Sequence, residues 1–478
     1  MMELGFQQFA LTKERTIPAR EWRQVDVADR FLSAPPSVPL IRILSGDRQI
    51  AWLLGWAADE QLGYLGDGAV QLAPGQCLDK FRETLCGRFV VVGQDVDGTV
   101  SIRTDAAGLF PVVFDAEQQI VASSPAVIGC HGGLRRDDAV IGNVRRMDGT
   151  TWYPFGLTPY AGIRRLLPSQ ILRIERDEFD ISESSPLTKT ENLSVTASEI
   201  CLQVASYVKS FSSQGPLIAH LTGGFDSRMV MAATMKAEVK ARYVTIRCRG
   251  AELDIHIARR LAKMSGARYE TIPYIAPTAM ELAEWHDRVG NCVDDAVAQL
   301  CATVRKFDDG AVTLTGVCGE VARAFYWTKH DLGAADINSS VLLRRLGFVE
   351  TTLLEGEAVR WLGNFHAGER NTTILDNAYI DLRGACWAGP SMPGHLVPKP
   401  TISPFNSVSV YRAMLTMDEK YRFSQRFAMD FIGAAFPHLL SERFNAASGL
   451  WRLRFLKQEA KTLLPRSAKL AIKRLIRA

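Results

Sequence analysis

Residues 217–233 read LIAHLTGGFDSRMVMAA. An apolar run ends at Leu221, passes through Thr-Gly-Gly, and resumes at helical spacing behind Asp226 and Ser227. This is the pattern of a strand feeding a helix through a glycine turn. Gly223 and Gly224 allow unusual φ angles and a close approach of backbone to ligand. The first N–H groups of a helix lack internal partners and sit at the positive end of its dipole, so such a turn suits phosphate or pyrophosphate. Thr222 and Ser227 add hydroxyls and Arg228 adds a forked cation. Asp226 would be repelled by bare phosphate but suits a bound Mg2+. The local pattern equally describes an N-capped helix whose glycines only make the corner.

Around this turn the chain alternates strands and helices. PLIAHL (216–221), ARYVTIRC (241–248), ARYETIPY (267–274) and AVTLTG (311–316) read as strands. Helices are expected over 195–212, from Asp226 to about Ala237, and over ELDIHIARRLAKMSG. Continuous apolar strands between helices predict an α/β, doubly wound parallel sheet, in which ligands bind beyond the strands' carboxyl ends. From 320 onward helical spacing dominates. The first third instead reads as β-rich, with strands at 49–56, 87–96, 99–104, 111–115 and 170–181. The polar stretch SESSPLTKTENLS (182–194) marks the expected boundary, giving domains 1–190 and 191–478.

Composition narrows the function classes. At 478 residues with 47% hydrophobic and 23% charged residues, the chain reads as an ordinary two-domain globular protein. No apolar run is long enough for a membrane span, and the N-terminus lacks a secretory signal pattern, so a cytoplasmic protein is expected. The nine cysteines show no CxxC or zinc spacing and read as reduced thiols. Residues 451–478 hold nine Lys/Arg against Glu459. Taking these from the chain's 56 bases and 52 acids leaves a mildly acidic body of 47 and 51, so nucleic acid is not an expected partner. The basic tail suits a peptide or protein partner, though a solvated terminal helix accounts for it more simply.

TGGFDS resembles the S-G-G-x-D-S pyrophosphate loop of the asparagine synthetase-like ATP pyrophosphatases, which include the β-lactam synthetases and lasso-peptide cyclases. ELDIHIARRLAKMSGARYE looks like that family's acidic residue and following helix, and LTGVCGEVARAFYW (314–327) like its S-G-x-G-x-D-E segment. PFNSVSVYRAMLTM (404–417) and ERFNAASGLW (442–451) resemble later stretches. LCGRFVVVGQDVDGTVSIRTDAAGLFPVVF and TPYAGIRRLLPSQILRI look like the core of its glutaminase-type domain. The resemblance spans about 45–465. It implies an N-terminal Ntn-hydrolase-like sandwich and a C-terminal ATP-pyrophosphatase domain.

It also implies that a carboxylate attacks the α-phosphate of ATP, and that an amine then displaces AMP to form an amide. Pyrophosphate would lie on Thr222, Gly223, Gly224, Ser227 and Arg228. Mg2+ would lie between Asp226 and Glu320, and adenosine against Leu221, Ile246, Thr315 and Gly316. The carboxylate and amine would be small molecules or peptides, in specialised-metabolite, modified-peptide or cell-surface biosynthesis. Lasso-type peptide cyclisation, a nucleobase-modifying sulfur transferase and a non-catalytic scaffold stand as alternatives. Oligomeric state is open, a homodimer included.

The chain departs from the family at three places. It begins Met1-Met2-Glu3 and its first cysteine is Cys77, so no N-terminal nucleophile for glutamine hydrolysis is expected. Val317 stands where β-lactam-forming relatives carry tyrosine. The family's late lysine falls near Gln425–Arg426, which makes Arg426 the expected catalytic cation, with Lys420 and Arg422 as alternatives.

Overall fold

A computed structural model describes residues 5–15, 21–187, 195–294, 296–306 and 310–447. The basic tail at 451–478, and the end of the expected boundary segment, lie outside these residues. Among the described residues no helix is long and apolar enough to cross a membrane.

Five parallel strands form the sheet that carries the glycine turn, in the order Tyr269–Pro273, Ala241–Arg247, Leu217–His220, Val312–Leu314, Thr401–Ile402. In chain order this is 3-2-1-4-5, so the direction of winding reverses between the first and fourth strands. Such a switch point opens a crevice at the carboxyl edge, because the following connections leave to opposite faces. The Thr222–Gly224 turn follows the first strand and Thr315–Gly316 follows the fourth, so both flank the crevice.

Alternation along these short strands decides what each face meets. Leu217 and Ala219 point into the main core, with Tyr243, Val312 and Leu314. Ile218, Val244, Ile272 and Ala311 form a separate apolar cluster on the opposite face. The helix Ala197–Ser212 starts in a capping box of Thr196 and Glu199, and buries Ile200, Val204, Tyr207, Val208 and Phe211 along one stripe.

Upstream, two sheets stack face to face. One is antiparallel and six-stranded, running from Ile163–Arg165 to Arg23–Val27 with Ala10–Thr12 inside it. The other runs from Glu178–Glu183 through Leu85–Gln94 and Arg48–Asp59 to Gly68–Gln71, with one parallel pair, Leu40–Ser45 beside Gly68–Gln71. Phe9 meets Phe110 edge-on at 5.6 Å, and Trp56 meets Phe110 at 5.9 Å.

The same core continues from this sandwich into the parallel sheet. Asn406 fastens the two, donating to Gly87 O at 2.6 Å and to the buried Asp105 carboxylate at 2.8 Å. Asp105 also accepts from the backbone of Ala107, Leu109 and Phe110. The acid of the TDAAG motif is therefore a structural anchor.

One reading of a strand is corrected. The run 170–181 is a hairpin, Gln170–Glu175 against Glu178–Glu183. Arg176 and Asp177 turn it at φ 46° and 73°, a conformation no glycine announced. The strands Ala10–Thr12, Arg23–Val27 and Arg30–Ala34, upstream of the resemblance, belong to the sandwich.

Candidate functional site

The turn is built by close approach, not by unusual dihedrals. Neither Gly223 nor Gly224 has a positive φ, which corrects that expectation; Gly224 sits at φ −83°. A Cβ on Gly223 would lie 2.6 Å from Ile257 Cδ1, and one on Gly316 would lie 2.7 Å from Asp226 Cβ and 2.8 Å from its carbonyl carbon. Gly316 thus lets the fourth strand's exit press directly on the first turn of the helix Phe225–Lys236.

Side chains of the loop, of the helix's first turn and of Asp254 satisfy the loop's N–H groups. Thr222 N donates to Ser227 Oγ at 3.0 Å, Gly223 N to Asp254 Oδ1 at 2.8 Å, and Gly224 N to Thr222 Oγ1 at 3.3 Å. The Thr222 and Ser227 hydroxyls are hydrogen-bonded to each other at 2.8 Å. A phosphate would replace these bonds and also meet the helix's first-turn N–H groups.

Beside the loop lies a cavity of about 320 Å³ on the sheet face bearing Ile218 and Val244. Ile246, Thr315 and Val317 line it at the carboxyl edge, with Trp387 and His395 from a later segment. The expected adenosine contacts Ile246 and Thr315 therefore share one cavity. Leu221 does not line it: its side chain is buried, and its carbonyl accepts from Thr245 Oγ1 at 2.6 Å.

Asp226 and Glu320 come together, and three residues not foreseen from the sequence surround them. Arg323 forks onto Asp226, Nε to Oδ1 at 2.7 Å and Nη2 to Oδ2 at 2.5 Å. Tyr379 donates to Glu320 Oε2 at 2.6 Å. Arg383 stacks between Phe325, at 4.8 Å, and Trp387, at 4.1 Å. Tyr379 and Arg383 share the π-helical segment Tyr379–Ala388, an irregularity frequent at functional sites.

Arg323 ends the turn Gly319–Arg323, which is bracketed by Cys318 at φ 77° and Ala324 at φ 53°. Cys318 stands at the second glycine position of the resembled S-G-x-G segment. A left-handed conformation there explains why that position favours glycine.

Burial pushes the Glu320 carboxyl up to about 7; the Asp226 charge adds to this and the Tyr379 hydrogen bond opposes it. A carboxyl raised above its unfolded value of roughly 4.3 stabilises the fold below that value and loses the contribution as pH rises through about 7. Glu320→Gln is therefore expected to gain on wild type between about pH 5 and about pH 8, by on the order of 2 kcal/mol. Melting curves of both proteins at the two pH values read this directly. An equal offset at both would contradict it.

Two expected site residues and the expected metal pair are corrected. Arg228 is 0% exposed, and its guanidinium donates to the carbonyls of Leu439, Glu442, Gly223 and Arg443. It braces the loop from behind and offers nothing to a phosphate. Arg426 is exposed at the start of the helix Arg426–Ala435; its neighbour Gln425 reaches the site instead, accepting from Arg323 Nη1 at 3.0 Å. The alternatives fare no better: Arg422 is buried against Asp376 at 2.7 Å, and Lys420 is exposed. A Mg2+ shared by Asp226 and Glu320 does not fit, because Arg323 holds both Asp226 oxygens. No cluster of three metal-ligating side chains exists among the described residues.

No protein-family model matches the chain, and no curated protein matches it. Solved structures similar to parts of it include NMN synthetase from Francisella tularensis, at 15% identity over 36% of this chain and 73% of that one, with a TM-score of 0.19. NAD+ synthetase from Burkholderia pseudomallei matches at 15% identity over 49% of this chain and 88% of that one, with a TM-score of 0.18. A glutamine-dependent NAD(+) synthetase from Cytophaga hutchinsonii matches at 13% identity over 62% and 67%, with a TM-score of 0.21. Overlaps this loose carry no inference about chemistry.

Proposed function

We propose that the chain is an ATP-dependent ligase that adenylates a carboxylate, releases pyrophosphate and passes the acyl group to an amine without hydrolysing glutamine. The observation that carries this reading is the Gly316–Asp226 contact at the switch point. It sets a glycine-built strand-to-helix turn beside a 320 Å³ apolar cavity. Adenosine would fill the cavity against Ile246 and Thr315. The leaving pyrophosphate would meet the N–H groups and hydroxyls of Thr222–Ser227.

Arg323 and Arg383 supply fixed positive charge where negative charge develops, which is worth most in a site closed to water. Glu320, its carboxyl pushed up by burial and oriented by the Tyr379 hydrogen bond, would take a proton from the attacking amine. A peptide substrate, as in lasso-type cyclisation, falls within this class.

A second reading, a scaffold that keeps the fold without catalysis, draws on the loop N–H groups being already satisfied. Calorimetric titration with ATP, followed by ATP–pyrophosphate exchange across panels of carboxylates, separates the two. The ligase reading expects ATP binding and carboxylate-dependent exchange that Arg383→Ala reduces by about a hundredfold or more. Absence of ATP binding at millimolar concentration would leave the scaffold.

A further inference from the structure

Arg323 is held from several sides. Two arms fork onto Asp226 and the third donates to Gln425 Oε1. Gln425, at φ 64°, returns a hydrogen bond from Nε2 to Arg323 O at 3.2 Å. The guanidinium lies over Phe225 at 5.3 Å, Phe225 stacks on Phe444 at 3.8 Å and 12°, and Phe444 carries Arg228 at 3.9 Å. The result is a column of guanidinium, ring, ring and guanidinium that runs from the loop's back to its acid. Burial alone would lower the Arg323 pKa, but the Asp226 carboxylate, with Glu320 and Tyr379 beside it, outweighs burial and holds the charge in place.

The charge count agrees with the geometry. Asp226 and Glu320 face Arg323 and Arg383, at most two negative charges against two bases, so no negative charge is left over to attract a divalent ion. A cation reaching Asp226 would have to expel a guanidinium that the fork, the ring and the Gln425 clamp all hold.

We propose that Arg323 is the resident counter-ion of Asp226, occupying the place of a divalent cation, so that the site takes its nucleotide as a metal-free polyphosphate. The inference rests on the nucleotide-binding reading above.

The test titrates ATP into the full chain, with EDTA or with Mg2+, for wild type, Arg323→Ala and Arg323→Lys. Mn2+ binding without nucleotide is measured in parallel by electron paramagnetic resonance. Wild type is expected to bind ATP with affinities within about threefold in the two buffers, and to leave Mn2+ free. Arg323→Ala is expected to lose about tenfold or more in EDTA, to recover in Mg2+, and to bind Mn2+. Arg323→Lys keeps the charge without the fork; it should fold if alanine does not, and should fall between the two.

Strict Mg2+ dependence of wild type, or an alanine variant with the wild-type metal response, overturns the proposal. If no protein binds ATP, the nucleotide reading has failed. The Mn2+ measurement then still decides whether Arg323 fills the cation's place.

Discussion

Arg228→Met is expected to destabilise the protein by about 3–5 kcal/mol, the loss typical when one side of a buried charged network is removed. Arg228 bridges the helix after the loop to the segment 439–443. Its Nη1 donates to Leu439 O at 3.1 Å and Glu442 O at 2.6 Å, and its Nη2 to Gly223 O at 3.3 Å and Arg443 O at 3.2 Å. Methionine fills similar space but leaves the buried Leu439 and Glu442 carbonyls, and the half-buried Arg443 carbonyl, without this donor, while Gly223 O keeps the Asn445 N–H at 2.8 Å. The desolvation already spent on the group is visible in its pKa, which burial draws down to about 10 against the opposing charge of Glu442.

Arg228→Lys should land between, since an ammonium satisfies fewer carbonyls and cannot lie flat on Phe444. Melting temperature measures the loss. Limited proteolysis locates it, and cleavage within 439–447 should rise first, because that segment would then be held by side-chain contacts nearer the surface, such as Arg260–Glu442 at 2.6 Å and Ser441 on Met264 at 3.2 Å. A methionine variant that melts with wild type would show that the carbonyls find other donors.

The misassignment of Arg228 was avoidable from the sequence. On a helix, residues two apart lie about 200° around the axis, so Asp226 and Arg228 cannot both face one ligand. The strand–turn–helix itself was legible because apolar periodicity changes across a glycine pair. The expected strands 216–221 and 241–248 are found at Leu217–His220 and Ala241–Arg247. Arg323, Tyr379 and Arg383 were not legible. They come from a short 3-10 turn and a π-helical segment, neither with a local pattern, and only the folded chain brings them to Asp226. Nor could a two-residue strand such as Thr401–Ile402 be read, since alternation needs more than two positions. What spacing encodes, local structure, was read; what convergence encodes, the charge at the site, was not.

Convergence is also what makes Gly316 the most sensitive of the site's glycines, and Gly316→Val is expected to abolish nucleotide binding and to destabilise the fold by about 3 kcal/mol or more. A single methyl there already meets Asp226 Cβ at 2.7 Å, its carbonyl carbon at 2.8 Å and its oxygen at 3.0 Å. Two of these are backbone atoms of a helix's first turn, which cannot swing aside as a side-chain tip can. Relief has to come from parting the two strand exits, and that moves Asp226 off the Arg323 fork and opens the crevice. Gly223 offers a graded comparison, because its obstruction is the end of the Ile257 side chain at 2.6 Å, which a rotamer change relieves. Gly224 offers the control. An added methyl would find Asn445 Oδ1 and Thr222 Oγ1 at 3.5 Å, ordinary contact, at a φ of −83° that any residue adopts. Gly224→Ala should therefore cost less than about 1 kcal/mol and keep the loop's shape. The order Gly316, Gly223, Gly224 in melting temperature and in ATP affinity is the expected outcome. If Gly316→Val binds ATP as wild type does, the nucleotide lies elsewhere than the crevice between the first and fourth strands.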